Sequence, residues 1–389
     1  MDRTHPAPAP PHPADPARLG RVLWVSTSRS TRGGVATYVR NAEATGLWQR
    51  WAVRHIATHS DGSRLHKAVV FVRGALRLSV ALTGRPDLVH VHASARGSFL
   101  RKAILIRVCR LARVPVVTHV HDGTFDEFYR GLGRVAQGFV RRTFSHSDVV
   151  LALGPRWAAR LRALFPDVDV RAVPNGVSHR RPQPVDQPED GVHVVFLGQI
   201  GDLKGTFDLL TAWGALRWPA GSGHPRLTIA GNGEVDRARA VRRTLPNASS
   251  VEVLDWLDPA DVGALLDSAH VLVLPSTHEG QPMSVLEAMA HGLCIVASDV
   301  GGVPDLVEDG TTAVLLPPRD PVRLAATLER VVADAGLRRR LGAAAWRKSA
   351  EFDLRTLADR IEAIYLSVLA PRRATPGGER TDRVREVTG

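Results

Sequence analysis

Leu272-Val273-Leu274-Pro275-Ser276-Thr277-His278-Glu279-Gly280-Gln281-Pro282-Met283-Ser284-Val285-Leu286-Glu287-Ala288-Met289-Ala290 joins an apolar run, a polar loop and a second apolar segment. The run stops at Pro275, which has no N–H for another rung of a sheet. The second segment starts near Pro282–Ser284. Proline suits a first helical turn, because its missing N–H would be unpaired there anyway. A fully apolar strand followed by a helix is the unit of a parallel sheet covered on both faces. A helix starting here aims free N–H groups at the loop, an arrangement that favours phosphate or a developing anion. Glu279 falls in the loop and Glu287 one to two turns into the helix. On spacing alone, an ordinary strand–loop–helix with two solvated acids fits as well.

The same unit recurs outward from this segment. Strands are predicted at Val22–Ser26, Trp51–Thr58, Leu88–His92, Val116–His121, Val149–Leu153 and Val168–Val173. A second series follows at His193–Gly198, Leu227–Gly231, Val251–Leu254, Val271–Pro275, Ile295–Ser298 and Ala313–Leu316. The stretches between them have the length and periodicity of helices. The two series are separated by a Pro-rich, charged segment, so 182–191 is predicted as a linker. It joins an N-terminal domain over 19–181 to a C-terminal domain over 192–352. A last helix over 353–372 is expected to cross back to the N-terminal domain. Residues 1–18 and 373–389 read as disordered tails. Two doubly wound α/β domains facing across a cleft point to a cleft enzyme, since such sheets bind ligands at their carboxyl ends.

Composition narrows the class further. The 389 residues are 44% hydrophobic and 23% charged, which excludes a disordered chain or a coiled coil. Cys109 and Cys294 are the only cysteines, too few for a disulfide framework or a four-cysteine zinc site. No apolar run has the roughly 18–20 residues that span a bilayer, and Val22–Val25 is too short for a signal peptide. A cytoplasmic location is expected, with peripheral attachment to the inner face of the membrane as an extension. Residues 1–190 hold 29 Lys and Arg against 14 Asp and Glu, whereas the remainder holds 22 against 25. A basic half of this kind meets an anionic partner. Arg64, Lys67, Arg73, Arg77 and Arg85 lie on the polar side of one predicted helix, and Lys102, Arg107 and Arg110 repeat the theme on the next. These are read either as solvated helix faces or as contacts to anionic membrane.

Glu279-(x)7-Glu287, then Ala288-Met289-Ala290 and Ser298-Asp299-Val300-Gly301-Gly302-Val303-Pro304, resembles the retaining glycosyltransferases of family 4. The likeness runs over about residues 20–370. It implies the GT-B fold, two Rossmann-like domains with a nucleotide-sugar donor between them. It further implies that Glu279 sits by the donor sugar and that Glu287 binds the ribose hydroxyls. Gly280, Met283 and Ser284, at the helix start, are assigned to donor binding with them. Phe196-Leu197-Gly198-Gln199-Ile200-Gly201-Asp202-Leu203-Lys204-Gly205 resembles the family's turn that places an Arg and a Lys on the diphosphate. Lys204 matches, and a compact cation there neutralises charge on the leaving group. Gln199 stands where the family has Arg and brings no charge. Gly33 and Gly34 resemble the family's loop that touches donor phosphate and acceptor, and His121 its histidine beside the donor sugar.

The resemblance implies an acceptor that is a glycan or a lipid-linked molecule. No metal or other cofactor is expected. The histidines show no metal-ligand spacing, His90 and His92 read as plain strand residues, and Lys204 with helix N-termini can replace a cation. Other readings are a GT-B epimerase or phosphorylase, a nucleotide-sugar-binding protein without transfer activity, and a nucleic-acid binder. The last is disfavoured by the lack of an aromatic stacking platform.

Overall fold

The computed structural model describes residues 18–179, 191–216 and 225–373. Apart from Arg18, Gly191 and Arg373, the expected tails and linker lie outside these residues. Six strands, β1 (Val22–Ser26), β2 (Arg54–Ala57), β3 (Leu88–Ala93), β4 (Val116–Val120), β5 (Val149–Ala152) and β6 (Val170–Ala172), form one sheet in the order β2-β1-β3-β4-β5-β6. Six more form a second sheet: β7 (His193–Leu197), β8 (Arg226–Ala230), β9 (Val251–Leu254), β10 (Val271–Leu274), β11 (Cys294–Ser298) and β12 (Val314–Leu316), ordered β12-β11-β10-β7-β8-β9. Every pairing is parallel. The order of strands across each sheet changes direction between β1 and β3 and between β7 and β10. Crevices open at such switch points, beyond the carboxyl ends of the strands.

The inner strands are buried along their whole length, as parallel strands covered on both faces must be, whereas the edge strands β2 and β9 are partly exposed. Sequence reading overshoots mainly at their carboxyl ends. His121, Leu153, Gly198, Gly231 and Pro275 leave the ladder and enter loops, because the crevice begins there. Trp51 is not in β2. It closes the helical turn Leu47–Arg50 and packs in the core instead. Lys102 is not on the solvated side of its helix Gly97–Leu111. Its side chain is buried, donating to Thr58 Oγ1 and toward the Ser26 carbonyl, and burial lowers its pKa to about 7. Arg85 lies beyond the end of its helix, which is Arg64–Thr83.

The chain passes twice between the sheets. After β6, Val177 donates to the Phe352 carbonyl, and His179 stacks on Trp346 and donates from its amide to Asp353. At the second passage the helix Leu354–Arg373 leaves the second sheet and packs on the first. Its Leu357, Ile361, Tyr365 and Leu369 share a core with Val22, Trp24, Trp51, Val117 and Leu151. Arg50 and Trp51 both donate to Glu362 of this helix.

Beneath the cleft, β3 and β4 pair His92 with His119, and alternation puts His90, His92, His119 and His121 on one face. Their rings stack at centroid separations of 4.2–5.6 Å, walled by Trp24, Tyr38 and Tyr365. Tyr365 hydroxyl accepts from Trp24 Nε1 and lies 2.7 Å from His90 Nδ1. Burial holds His90 and His121 down to about 3 and drives His92 and His119 well below the usual imidazole value. The sequence shows no such cluster, because the four residues meet only through strand register. Nitrogens of His90, His92 and His119 lie within 4.8 Å of one another. With every imidazole held well below its usual pKa by burial, the stack is uncharged near neutral pH and forms an aromatic floor to the cleft.

Two measurements test this core. The folded state binds these protons less readily than the unfolded chain, so stability falls as pH drops below about 6.5 and continues falling toward about 3. The melting temperature should therefore decrease steadily from pH 7.5 to pH 5, and His119→Gln should make that dependence shallower by one proton. Ile361→Ala should cost about 2–5 kcal/mol in urea unfolding, as expected for a fully buried side chain.

Candidate active site

The two sheets direct their carboxyl ends at one cavity of about 1120 Å³. Gly33, Gly34 and His121 line it from one side; Gln199, Lys204, Glu279, Gly280, Met283, Ser284 and Glu287 line it from the other. All ten residues singled out in the sequence thus meet in one place.

Lys204 ends a single helical turn, Asp202–Lys204, directly after β7, and Glu279 follows β10. Because β7 and β10 are neighbours at the switch point, residues 75 positions apart become adjacent. Lys204 Nζ donates to Glu279 Oε1 at 2.6 Å, and Ser276 Oγ donates to the same oxygen at 2.7 Å. Glu279 is 5% exposed, so its charge is compensated only by these partners and its surroundings. The lysine is about a quarter exposed and reaches the cavity from the solvent side.

The helix Met283–Ala290 begins after Pro282 with no side chain capping its first amides. First-turn N–H groups have no partner within a helix and, with the helix dipole, favour an anion, and Met283 and Ser284 line the cavity. Glu287, one turn further on, forms the wall. Burial raises its carboxyl to about 7, partly offset by the positive charge of Arg40 on the opposite domain. Arg40 is held by the Arg29 carbonyl and by Thr37.

The glycine loop makes the opposing wall. Gly33 adopts φ 136°, open to glycine but strained for other residues, and starts the helix Gly34–Glu43. A Cβ on Gly34 would lie 3.7 Å from Met283 Cγ, so this loop touches the start of the donor-side helix. Gly123 approaches the Glu279–Gly280 peptide so closely that any side chain there would collide with it. Trp157 Nε1 donates to the Gly280 carbonyl at 2.9 Å. Asn175 clasps Gln281 twice, through its amide to the side-chain oxygen and through Nδ2 to the carbonyl. Asp305 receives the Arg156 amide and pairs with its guanidinium. Trp157 and Gln281 carried no signal in the sequence, because their role is to pin one domain's loop to the other.

Arg29, Arg32 and Arg40 also line the cavity, all from the N-terminal side. Asn232, Trp256 and Leu257 line the opposite end, near the carboxyl ends of β8 and β9. Gln199 packs beside Gly233 at that rim. Asp167 and Asp169 flank β6 and are not among the residues lining the cavity.

Residues 32–181 match the model of glycosyltransferase family 4, and residues 191–334 match that of the group 1 glycosyl transferases. The chain is 30% identical to glycogen synthase of Mycobacterium tuberculosis over 318 residues, covering 76% of this chain and 73% of the relative. It is 27% identical to the D-inositol 3-phosphate glycosyltransferase of Thermobifida fusca, over 83% of this chain and 80% of that protein. Among solved structures, sucrose-phosphate synthase of Thermosynechococcus elongatus superposes with a TM-score of 0.73 at 20% identity, over 90% of this chain and all of that one. Anabaena HepE in complex with UDP-glucose superposes with a TM-score of 0.69 at 18% identity, with the same coverage. These likenesses match the GT-B arrangement of two facing parallel sheets described above. The chain is a glycosyltransferase and belongs to glycosyltransferase family 4.

Proposed function

We propose that the enzyme transfers a sugar from a nucleoside diphosphate sugar to a glycan or lipid-linked acceptor with retention of configuration. The observation that carries this reading is the Lys204–Glu279 pair set against an uncapped helix start inside the interdomain cavity. The anomeric C–O bond to the diphosphate breaks with its electron pair going to the phosphate oxygen. Lys204 and the amides of Met283 and Ser284 stabilise the charge that builds there. An acceptor hydroxyl bonds the anomeric carbon from the face the diphosphate leaves, and its proton passes to the departing diphosphate. Glu279 orients both the sugar and Lys204, His121 lies beside the sugar, and Glu287 accepts from the ribose hydroxyls. Gly33 and Gly34 bring backbone against phosphate and acceptor. Solved relatives carry UDP or UDP-glucose, which supports a nucleotide-sugar donor.

The charge needed by the leaving group comes from Lys204 and helix amides on this reading, so chelation with EDTA should leave transfer unchanged. The three arginines of the N-terminal wall suit an acceptor bearing an anionic group. Peripheral contact of the basic N-terminal half with an anionic membrane belongs to the same reading.

Lys204→Ala should lower kcat by about 10²–10³-fold while the melting transition remains cooperative; full activity in this variant would sink the assignment. Glu287 supplies its ribose contact as a carboxylate, and its pKa stands at about 7. Nucleoside diphosphate affinity should therefore rise from pH 6 to pH 8, and Glu287→Gln should bind more weakly and lose that pH dependence. Gln199→Arg adds a cation at the diphosphate end of the cavity and should raise kcat, measured with the same donor and acceptor.

A further inference from the structure

The helices Arg64–Thr83 and Gly97–Leu111 lie side by side on the outer face of the first sheet. Twelve large apolar side chains are exposed among the described residues, and eight of them are on these two helices. Leu65, Val69, Val72, Leu76 and Val80 follow one another at spacings of three or four residues, which places them within an arc of about 80°. The buried Gly74, Leu78 and Leu82 lie on the opposite side, so the stripe faces straight outward. Leu100, Ile104 and Leu111 repeat the pattern on the second helix, again opposite its buried residues. Scattered apolar side chains need no explanation, but two aligned stripes on neighbouring helices form a contiguous patch that does.

Charge identifies what covers it. The two helices contain eight Lys and Arg and no Asp or Glu. Only Lys102 of the eight is buried, and Arg73, Arg77, Arg107 and Arg110 are exposed at or beside the stripes. A second copy docked through the same face would set cations against cations around a two-fold axis. A nucleic acid would meet apolar side chains where it needs further cations. An apolar stripe bordered by arginine matches one surface well: the headgroup layer of a bilayer containing anionic lipid. Among the described residues no helix is long and apolar enough to cross a membrane.

We infer that these two helices seat the N-terminal domain on an anionic bilayer, with the apolar stripes inserted at the headgroup boundary. Both helices start at the carboxyl ends of strands, which is the cleft side of the sheet. The segment that leads from β2 into the first of them is tied to the cavity loop after β1, because the His59 carbonyl accepts from the Ser28 amide. Seating this face holds against the membrane the domain whose loops line one side of the cavity, on the side of the bilayer where a lipid-linked acceptor presents its headgroup. The inference rests on the acceptor reading above but is tested apart from it.

Full-length protein should co-sediment with vesicles of phosphatidylcholine and phosphatidylglycerol and not with phosphatidylcholine alone. Arg73→Gln with Arg77→Gln should weaken binding about 30-fold, the loss expected for two surface cations. Leu76→Ser with Val80→Ser should weaken it at least tenfold and make the remainder easily displaced by salt. Both variants alter exposed side chains and should keep the wild-type melting temperature and donor hydrolysis rate. Equal binding to neutral vesicles, no binding to anionic ones, or wild-type binding by the variants would overturn the inference. So would a salt-resistant dimer that the serine variants dissolve. Loss of transfer in Lys204→Ala with vesicle binding intact separates the two proposals.

Discussion

A buried carboxylate must be paired, and the pairing of Glu279 with Lys204 is the constraint around which the cleft is arranged. Removing Glu279 from water without a cation would be costly. With Lys204 at 2.6 Å, that cost is offset by an ion pair whose lysine remains partly open to the cavity. The pair exists because the sheet order sets β7 beside β10, so two loops from distant parts of the chain end at one point. On the proposed mechanism, the cation for a leaving diphosphate is thereby held in place before any ligand arrives, and little reorganisation is left for the reaction itself.

The loop that bears Glu279 belongs to one domain but is shaped by the other. Gly123, Trp157 and Asn175 pack against Gly280 and Gln281, and Asp305 ties the next segment to Arg156. The second anchor between the domains is the helix Leu354–Arg373, which follows the second domain in the chain and completes the core of the first. Its Tyr365 closes the histidine stack under the cleft floor. Floor, wall and interdomain crossover are consequently one packed body, and a perturbation of the terminal helix reaches the ring beside His121.

The patterns legible in the sequence were local ones. Short runs rich in apolar residues marked the inner strands, because a strand buried on both faces leaves few positions for polar side chains, whereas the edge strand Arg54–Ala57 shows no such run. The cavity-lining residues were picked out by the resemblance of their motifs, which lie in loops and at helix starts beyond the strand ends. His119 and His121 could be put on one face from alternation alone. Their meeting with His90 and His92 required the β3–β4 register, and the closing Tyr365 lies 275 positions from His90. The departure at Gln199 was visible only against the family's motif.

Periodicity by itself determined the fold class and the pair of sheets, since each depends on neighbours within about twenty positions, and the resemblance of short motifs to the family's picked out the residues that line the cavity. Tertiary structure alone decided which side of each helix was covered. Arg64–Thr83 carries apolar residues on two faces, and only the close approach of Gly74 to the Ala57 carbonyl shows which one meets the sheet. The same packing drew Lys102 inward beside Thr58 and left Leu76 and Val80 outside. A helical period states that a face exists. What it faces is set by the partner that packs against it, and that partner lies elsewhere in the chain.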